Sequence, residues 1–179
     1  MKKSISFCFT LLIMACSTPQ QKPLPVEEVI ATSGEKILLG AINSANLQTS
    51  SITPWFGQEF DRLTIDIQWA ENLKPHLKGL SVKVFMGTWC EDSQREVPHF
   101  FKLLQALDFD PHKVEMYAMS EEKTTPQNFE KDWEIFNIPT LIFLRDGKEI
   151  NRFVEFPVNT LESDIEKIIS GANYTHSYK

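Results

Sequence analysis

Leu80-Ser81-Val82-Lys83-Val84-Phe85-Met86-Gly87-Thr88-Trp89-Cys90-Glu91-Asp92-Ser93 is the stretch on which the fold turns. Leu80 to Met86 is a β-branched and apolar run that predicts a strand, and Gly87 breaks it. From Ser93 to Leu107, Val97, Phe100, Phe101, Leu104 and Leu107 recur at helical spacing. The segment therefore reads as strand, turn and helix, with a cysteine at the turn.

Toward the C-terminus, Val114 to Met119 predicts a second strand. Thr125-Pro126 has the form of a helix start, and Phe129, Trp133 and Phe136 predict one apolar face of a helix running through Phe136. After Asn137-Ile138-Pro139 come two β-rich runs, Thr140 to Leu144 and Glu149 to Phe156. The intervening Asp146-Gly147 is a hairpin signal. Asn159 or Thr160 starts a last amphipathic helix carrying Leu161, Ile165, Ile168 and Ile169, and Gly171 stops it. The order β-α-β-α-β-β-α predicts an α/β fold, a mixed sheet flanked by helices.

Toward the N-terminus, residues 27–79 read as a mostly helical extension. Thr53-Pro54 supplies an N-cap and first helical residue before Trp55, Asp66 can cap Ile67 to Lys74, and Pro75 ends that helix. Ile37-Leu38-Leu39-Gly40 is too short to assign to helix or strand. Residues 16–26 are polar and proline-rich, the composition of a flexible tether. Residues 1–15 carry Lys2 and Lys3, the apolar run Ile5 to Met14 and a small residue before Cys16, the order of a secretory signal. That run is shorter than the roughly 20 residues a membrane-spanning helix needs. The expected division is thus a leader (1–15), a tether (16–26), the extension (27–79), a core domain (80–171) and a tail (172–179).

Leu12-Ile13-Met14-Ala15-Cys16 resembles the bacterial lipoprotein processing box. The resemblance implies cleavage before Cys16 and its acylation, with several acyl chains giving a stable membrane anchor. Cys8 would leave with the leader and Cys16 would be capped, so Cys90 becomes the one free thiol. Loss of residues 1–15 also takes the formal charge from −6 to −8, which argues against nucleic acid as a partner. Ser17 resembles the sorting residue of outer-membrane lipoproteins, so the expected location is the cell envelope, outside the cytoplasm and facing the periplasm.

Val82 to Cys90 followed by a helix, Pro98 within that helix, and Ile138-Pro139-Thr140 further on are together similar to the thioredoxin superfamily. They match its first core strand, Trp-Cys-x-x-Cys turn, helix-kinking proline and cis-proline loop. The likeness covers Leu80 to Gly171; more narrowly, the chain resembles thioredoxin-family lipoproteins of Bacteroidetes type with a monothiol Cys-x-x-Ser site. It implies a thioredoxin-like fold, Cys90 as nucleophile, Trp89 flanking the thiol, and a cis Pro139 preceded by Ile138, whose backbone pairs with a substrate peptide.

Ser93 stands where the family carries its resolving cysteine, and a serine hydroxyl cannot expel a mixed disulfide. Its expected role is either to hydrogen-bond a Cys90 thiolate or to cap the helix. The helix N-terminus favours the thiolate form of Cys90 while Glu91 and Asp92 oppose it. His76, His99, His112 and His176 lack metal-ligand spacing, and no metal or cofactor is expected. His99 lies about two and a half helical turns from Cys90, too far for a Cys–His pair.

These residues and the resemblance predict an extracytoplasmic monothiol protein for thiol-disulfide exchange, by reduction or isomerisation. Cys90 would form a mixed disulfide that an external thiol, from a protein or a small molecule, resolves. The alternative is a redox-silent module that holds an extended peptide or partner protein on the Trp89 and Pro139 surface.

Overall fold

The computed structural model describes residues 21–178. In chain order these form β1 (Glu27–Ile30), β2 (Lys36–Ile42), α1 (Ser44–Thr49), α2 (Trp55–Arg62), α3 (Ile67–Leu73), β3 (Leu80–Met86), α4 (Glu91–Ala106), β4 (Val114–Ala118), β5 (Thr140–Arg145), β6 (Lys148–Val154) and α5 (Leu161–Ser170), with 3-10 turns at Lys74–Leu77 and Pro111–Lys113. The leader, Cys8, Cys16 and the first residues of the tether lie outside the described residues. Among the described residues no helix is long and apolar enough to cross a membrane.

One six-stranded sheet has the order β1-β2-β4-β3-β5-β6. The α4 crossover makes β3 parallel to β4, while β5 runs antiparallel to both β3 and β6. Asp146 and Gly147 both have positive φ (52° and 81°), the backbone a two-residue hairpin requires. The α5 helix starts where Thr160 accepts a hydrogen bond from Ser163 N and stops at left-handed Gly171.

The two faces of the sheet are covered differently. Val82, Val84 and Met86 of β3 join the larger core, to which α1 to α5 all contribute, with Phe56, Phe100, Leu103 and Phe143 fully enclosed. Phe85, Met119, Ile138, Ile142 and Leu144 form a smaller cluster on the other face, packed against Phe129, Trp133 and Ile135.

That smaller cluster is covered by a loop, because the helix expected from Thr125 through Phe136 does not form. Thr125 Oγ1 donates to Glu130 Oε2 (2.5 Å) and accepts from Phe129 N (2.8 Å), bonds that close a tight turn. Asn128, Asp132 and Glu134 then adopt positive φ (56°, 70° and 52°), which no α-helix accommodates. Phe129 stacks on Tyr117 (centroids 4.5 Å apart), whereas Phe136, expected on the same face, is 75% exposed.

The segment 27–79 does contain three helices, but it opens with two strands. Ile37-Leu38-Leu39-Gly40 lies in β2, which pairs antiparallel with β4 and buries Ile37, Leu38 and Ile42. Asp66 caps α3 through Gln68 N as expected. Thr53 is not a cap: its hydroxyl donates to Leu47 O (2.7 Å), and α2 begins after Pro54 without a side-chain cap. Before β1, the chain is tied down rather than loose. Asn46 accepts from Leu24 N (3.0 Å) and donates to Leu24 O (2.8 Å), and Gln21 Nε2 donates to Pro111 O (3.0 Å).

Candidate active site

The turn after β3 places Cys90 at the N-cap of α4 in extended conformation (φ −87°, ψ 121°). Its N–H donates to Gly87 O (3.1 Å), and its own carbonyl accepts the first helical bond, from Gln94 N (2.9 Å). The thiol is free and half-buried, and its Sγ lies 3.5 Å from Ile138 O. Strand order explains this meeting. Phe85 of β3 pairs with Thr140 of β5, so the end of one strand faces the start of the next. The Ile138-Pro139 peptide is cis, and Pro139 O accepts from Glu155 N (2.7 Å).

Trp89, Cys90, Ile138 and Pro139 are therefore brought together in space. Trp89 packs against the smaller cluster, and its Nε1 donates to Met119 O (3.0 Å). Ser93 is completely buried, and it is not the cap of α4. The N-cap position belongs to Cys90, whose side chain makes no capping bond, and Ser93 Oγ accepts from Gly87 N (3.2 Å). The hydroxyl thus closes the turn from inside. Two further residues hold the turn: Thr88 Oγ1 accepts from Leu38 N (3.1 Å) on β2, and Gln94 Nε2 donates to Thr88 O (2.8 Å). The Thr88 contact spans 50 residues, so nothing in the local sequence announces it.

Of the two acids beside the thiol, Glu91 is exposed and Asp92 is bound by Arg95 Nη2 (2.6 Å). Arg95 Nε also reaches Glu96 Oε1 (2.7 Å). Burial of Glu96 pushes its carboxyl above the usual carboxylate range, against the pull of Arg95. His99 is driven the other way by burial, and its Nε2 is 3.7 Å from Glu59 Oε2, part of the helix packing and not of the thiol site. Among the described residues no group of three His, Cys, Asp or Glu side chains is arranged to hold a metal ion.

No protein-family model matches the chain. It is 31% identical over 88 residues to a thioredoxin-like protein of Acanthamoeba polyphaga mimivirus, covering 49% of this chain and 61% of that one. The match thus spans about three fifths of that relative's length. An H-type thioredoxin of Nicotiana tabacum is 28% identical over 134 residues, covering 74% of this chain and 98% of its own. Among solved structures, a Pseudomonas aeruginosa protein of unknown function has a TM-score of 0.51 at 16% identity, over 74% of this chain and 81% of that one, a likeness of fold. The chain has a thioredoxin-like fold, and its sequence relatives support a place for it in the thioredoxin superfamily.

Proposed function

We propose that the protein exchanges thiols and disulfides through Cys90 alone. The observation that carries this reading is a half-exposed thiol at the start of a 16-residue helix, 3.5 Å from the carbonyl of Ile138. The named relatives are thioredoxins or thioredoxin-like, which supports the same chemistry.

The Cys90 thiol loses its proton to solvent, and the thiolate attacks one sulfur of a disulfide R–S–S–R′. The S–S bond breaks, R′–S⁻ leaves and is protonated, and Cys90 is held in a mixed disulfide with R. Ser93 cannot resolve this species. A thiolate R″–S⁻ from solution or from the substrate attacks the R sulfur, releasing the Cys90 thiolate and R–S–S–R″. The disulfide passes from R′ to R″ with no net oxidation of the protein.

The chemistry is tested by the pH dependence of Cys90 alkylation and by trapping of mixed disulfides. The expected results are alkylation that follows thiolate formation, and capture that is lost in Cys90→Ala. A thiol unreactive up to about pH 9 would end this reading, since an ordinary cysteine is largely ionised there. Partner binding that persists unchanged in Cys90→Ala would favour the redox-silent alternative.

We further propose that the protein acts outside the cytoplasm, held by a lipid on Cys16, on the strength of Lys2-Lys3, the apolar run to Met14 and the Ala15-Cys16 junction. Mass spectrometry of the mature protein from its native membrane is expected to find acylated Cys16 at the N-terminus. Any other N-terminus refutes the anchor.

A further inference from the structure

Large apolar side chains exposed singly on a protein surface need no explanation, but a gathered set does. Phe136 is 75% exposed, Tyr178 49% and Phe156 43%. Phe136 and Tyr178 line one cleft of about 390 Å³, and the Phe156 ring lies 5.8 Å from that of Tyr178. The three come from the loop before Pro139, the end of β6 and the C-terminal tail, so the fold collects them.

This cleft shares the cis-proline loop with the thiol. Phe136 is two residues before Ile138, whose carbonyl meets Cys90 Sγ. Thr140 pairs with Phe85 of β3 on one side and with Val154 of β6 on the other. The ends of β3 and β6 are thus two strand spacings apart, about 10 Å. The link between them is polar and specific: Asn137 Nδ2 donates to Glu155 Oε2 (2.7 Å), Tyr178 OH donates to the same oxygen, and Glu155 N donates to Pro139 O (2.7 Å). Glu134, Glu149 and Glu155 surround the aromatic groups. The opposing basic groups are His176 and Arg152, and the Arg152 guanidinium is bound at both ends by Glu149 (2.7 and 2.8 Å). The cleft is therefore aromatic with an excess of negative charge.

We infer that the Phe136–Tyr178 cleft binds the polypeptide whose disulfide Cys90 attacks, taking an aromatic side chain near the reacting cysteine with a basic residue beside it. The basic neighbour follows from the charge of the cleft. This assignment rests on the exchange reading and names its substrate as a polypeptide. A small disulfide can reach Cys90 without touching the cleft.

The test uses the full chain and the heptapeptide Phe-Lys-Gly-Cys-Gly-Lys-Phe as its mixed disulfide with glutathione, against the same peptide with both Phe replaced by Ser. The expected result is a preference for the aromatic peptide on the order of tenfold, the scale of one buried aromatic ring. In Phe136→Ser and Tyr178→Ser that preference falls toward one. Phe136 is so exposed that its loss leaves the core untouched. A version with Glu for Lys is expected to react more slowly, by a factor that shrinks as salt is added.

In parallel, Cys90→Ala protein is titrated with the aromatic heptapeptide carrying Ser for Cys, and the NMR signals of Phe136, Phe156 and Tyr178 are followed. Shifts there without any peptide reaction in the wild type would keep the docking site and end the exchange reading. Equal reaction of both peptides with no such shifts would overturn the docking site and leave exchange intact. Neither reaction nor shifts would remove both. A concentration-dependent dimer that covers Phe136 would assign the cleft to a second copy of the chain and overturn the inference.

Discussion

Gly87 has no room for a side chain. A Cβ there would lie 2.7 Å from Trp89 Nε1 and 3.0 Å from Ile138 Cδ1, so the indole and the residue before the cis-proline both close over bare backbone. Gly87→Ala is expected to push the indole off Met119 O and to destabilise the protein by about 1–3 kcal/mol, the usual cost of overpacking. Denaturant unfolding with tryptophan emission as the probe reads both effects, and a variant with unchanged emission and stability contradicts this packing. Ser93 gives the second case. It sits three residues after Cys90, where the Cβ atoms of a helix lie about 5–6 Å apart, so a bond must draw them in by roughly 1–2 Å to the span of a disulfide. Ser93→Cys is expected to convert the site to a dithiol that leaves no alkylatable thiol among the described residues after mild oxidation, where the wild type leaves Cys90. Persistent labelling of the oxidised variant would show that the burial of position 93 forbids the bond. Trp89, Cys90, Ile138 and Pro139 were legible in the sequence because each lies in a short stretch that resembles a thioredoxin-superfamily motif. The partner of Ser93 was not, because it depends on where Gly87 points its N–H.

Among the elements, the loop over the smaller cluster shows why a periodic pattern misleads. Phe129, Trp133 and Phe136 are spaced as one face of a helix, yet the bonds among Thr125, Phe129 and Glu130 form a tighter turn that local side chains can offer in competition with a helix. Spacing alone does not distinguish the two; the decision lies with Glu130 reaching back to Thr125. Thr125→Val keeps the shape but removes both hydroxyl bonds. It is expected to cost about 1–3 kcal/mol and to speed hydrogen exchange selectively in residues 120–139. Unchanged exchange there would mean that apolar packing alone holds the loop. On α4 the test is one of pH. Burial holds the Glu96 carboxyl above the pKa it has in the unfolded chain, so the folded state keeps its proton to higher pH. Ionised Glu96 therefore costs stability, a cost absent below the unfolded pKa and complete above the folded one. Glu96→Gln, which can still accept from Arg95, is expected to melt higher than the wild type at neutral pH, with the gap closing as pH falls toward about 4. A gap that widens on acidification would show that the Arg95 ion pair outweighs the burial.

At the scale of the whole molecule, the boundary drawn from sequence between an extension (27–79) and a core domain (80–171) does not correspond to a seam in the packing. The order β1-β2-β4-β3 makes β2 an integral member of the sheet, and Leu38 N bonds Thr88 in the turn that presents Cys90. The motifs that resemble the thioredoxin fold all lie from Leu80 onward, while the strand that completes the sheet is announced only by Ile37-Leu38-Leu39-Gly40, too brief a run to read. Ile37, Leu38, Ile42, Leu47, Phe56 and Leu73 each bury a large side chain from before the boundary. At about 1.5–3 kcal/mol for each, their burial is worth roughly 9–18 kcal/mol. That is the size of the whole net stability of a typical domain, about 5–15 kcal/mol. Truncation at residue 80 would also leave the pairing edge of β4 open to solvent and to other chains. A chain beginning at residue 80 is therefore expected to give no cooperative thermal transition by circular dichroism, and to associate as its concentration rises, where the chain from Gln21 onward melts in a single step. If the shorter chain instead melts cooperatively as a monomer, the first two strands and α1 to α3 are an accessory layer and the Leu38–Thr88 bond is dispensable to the fold.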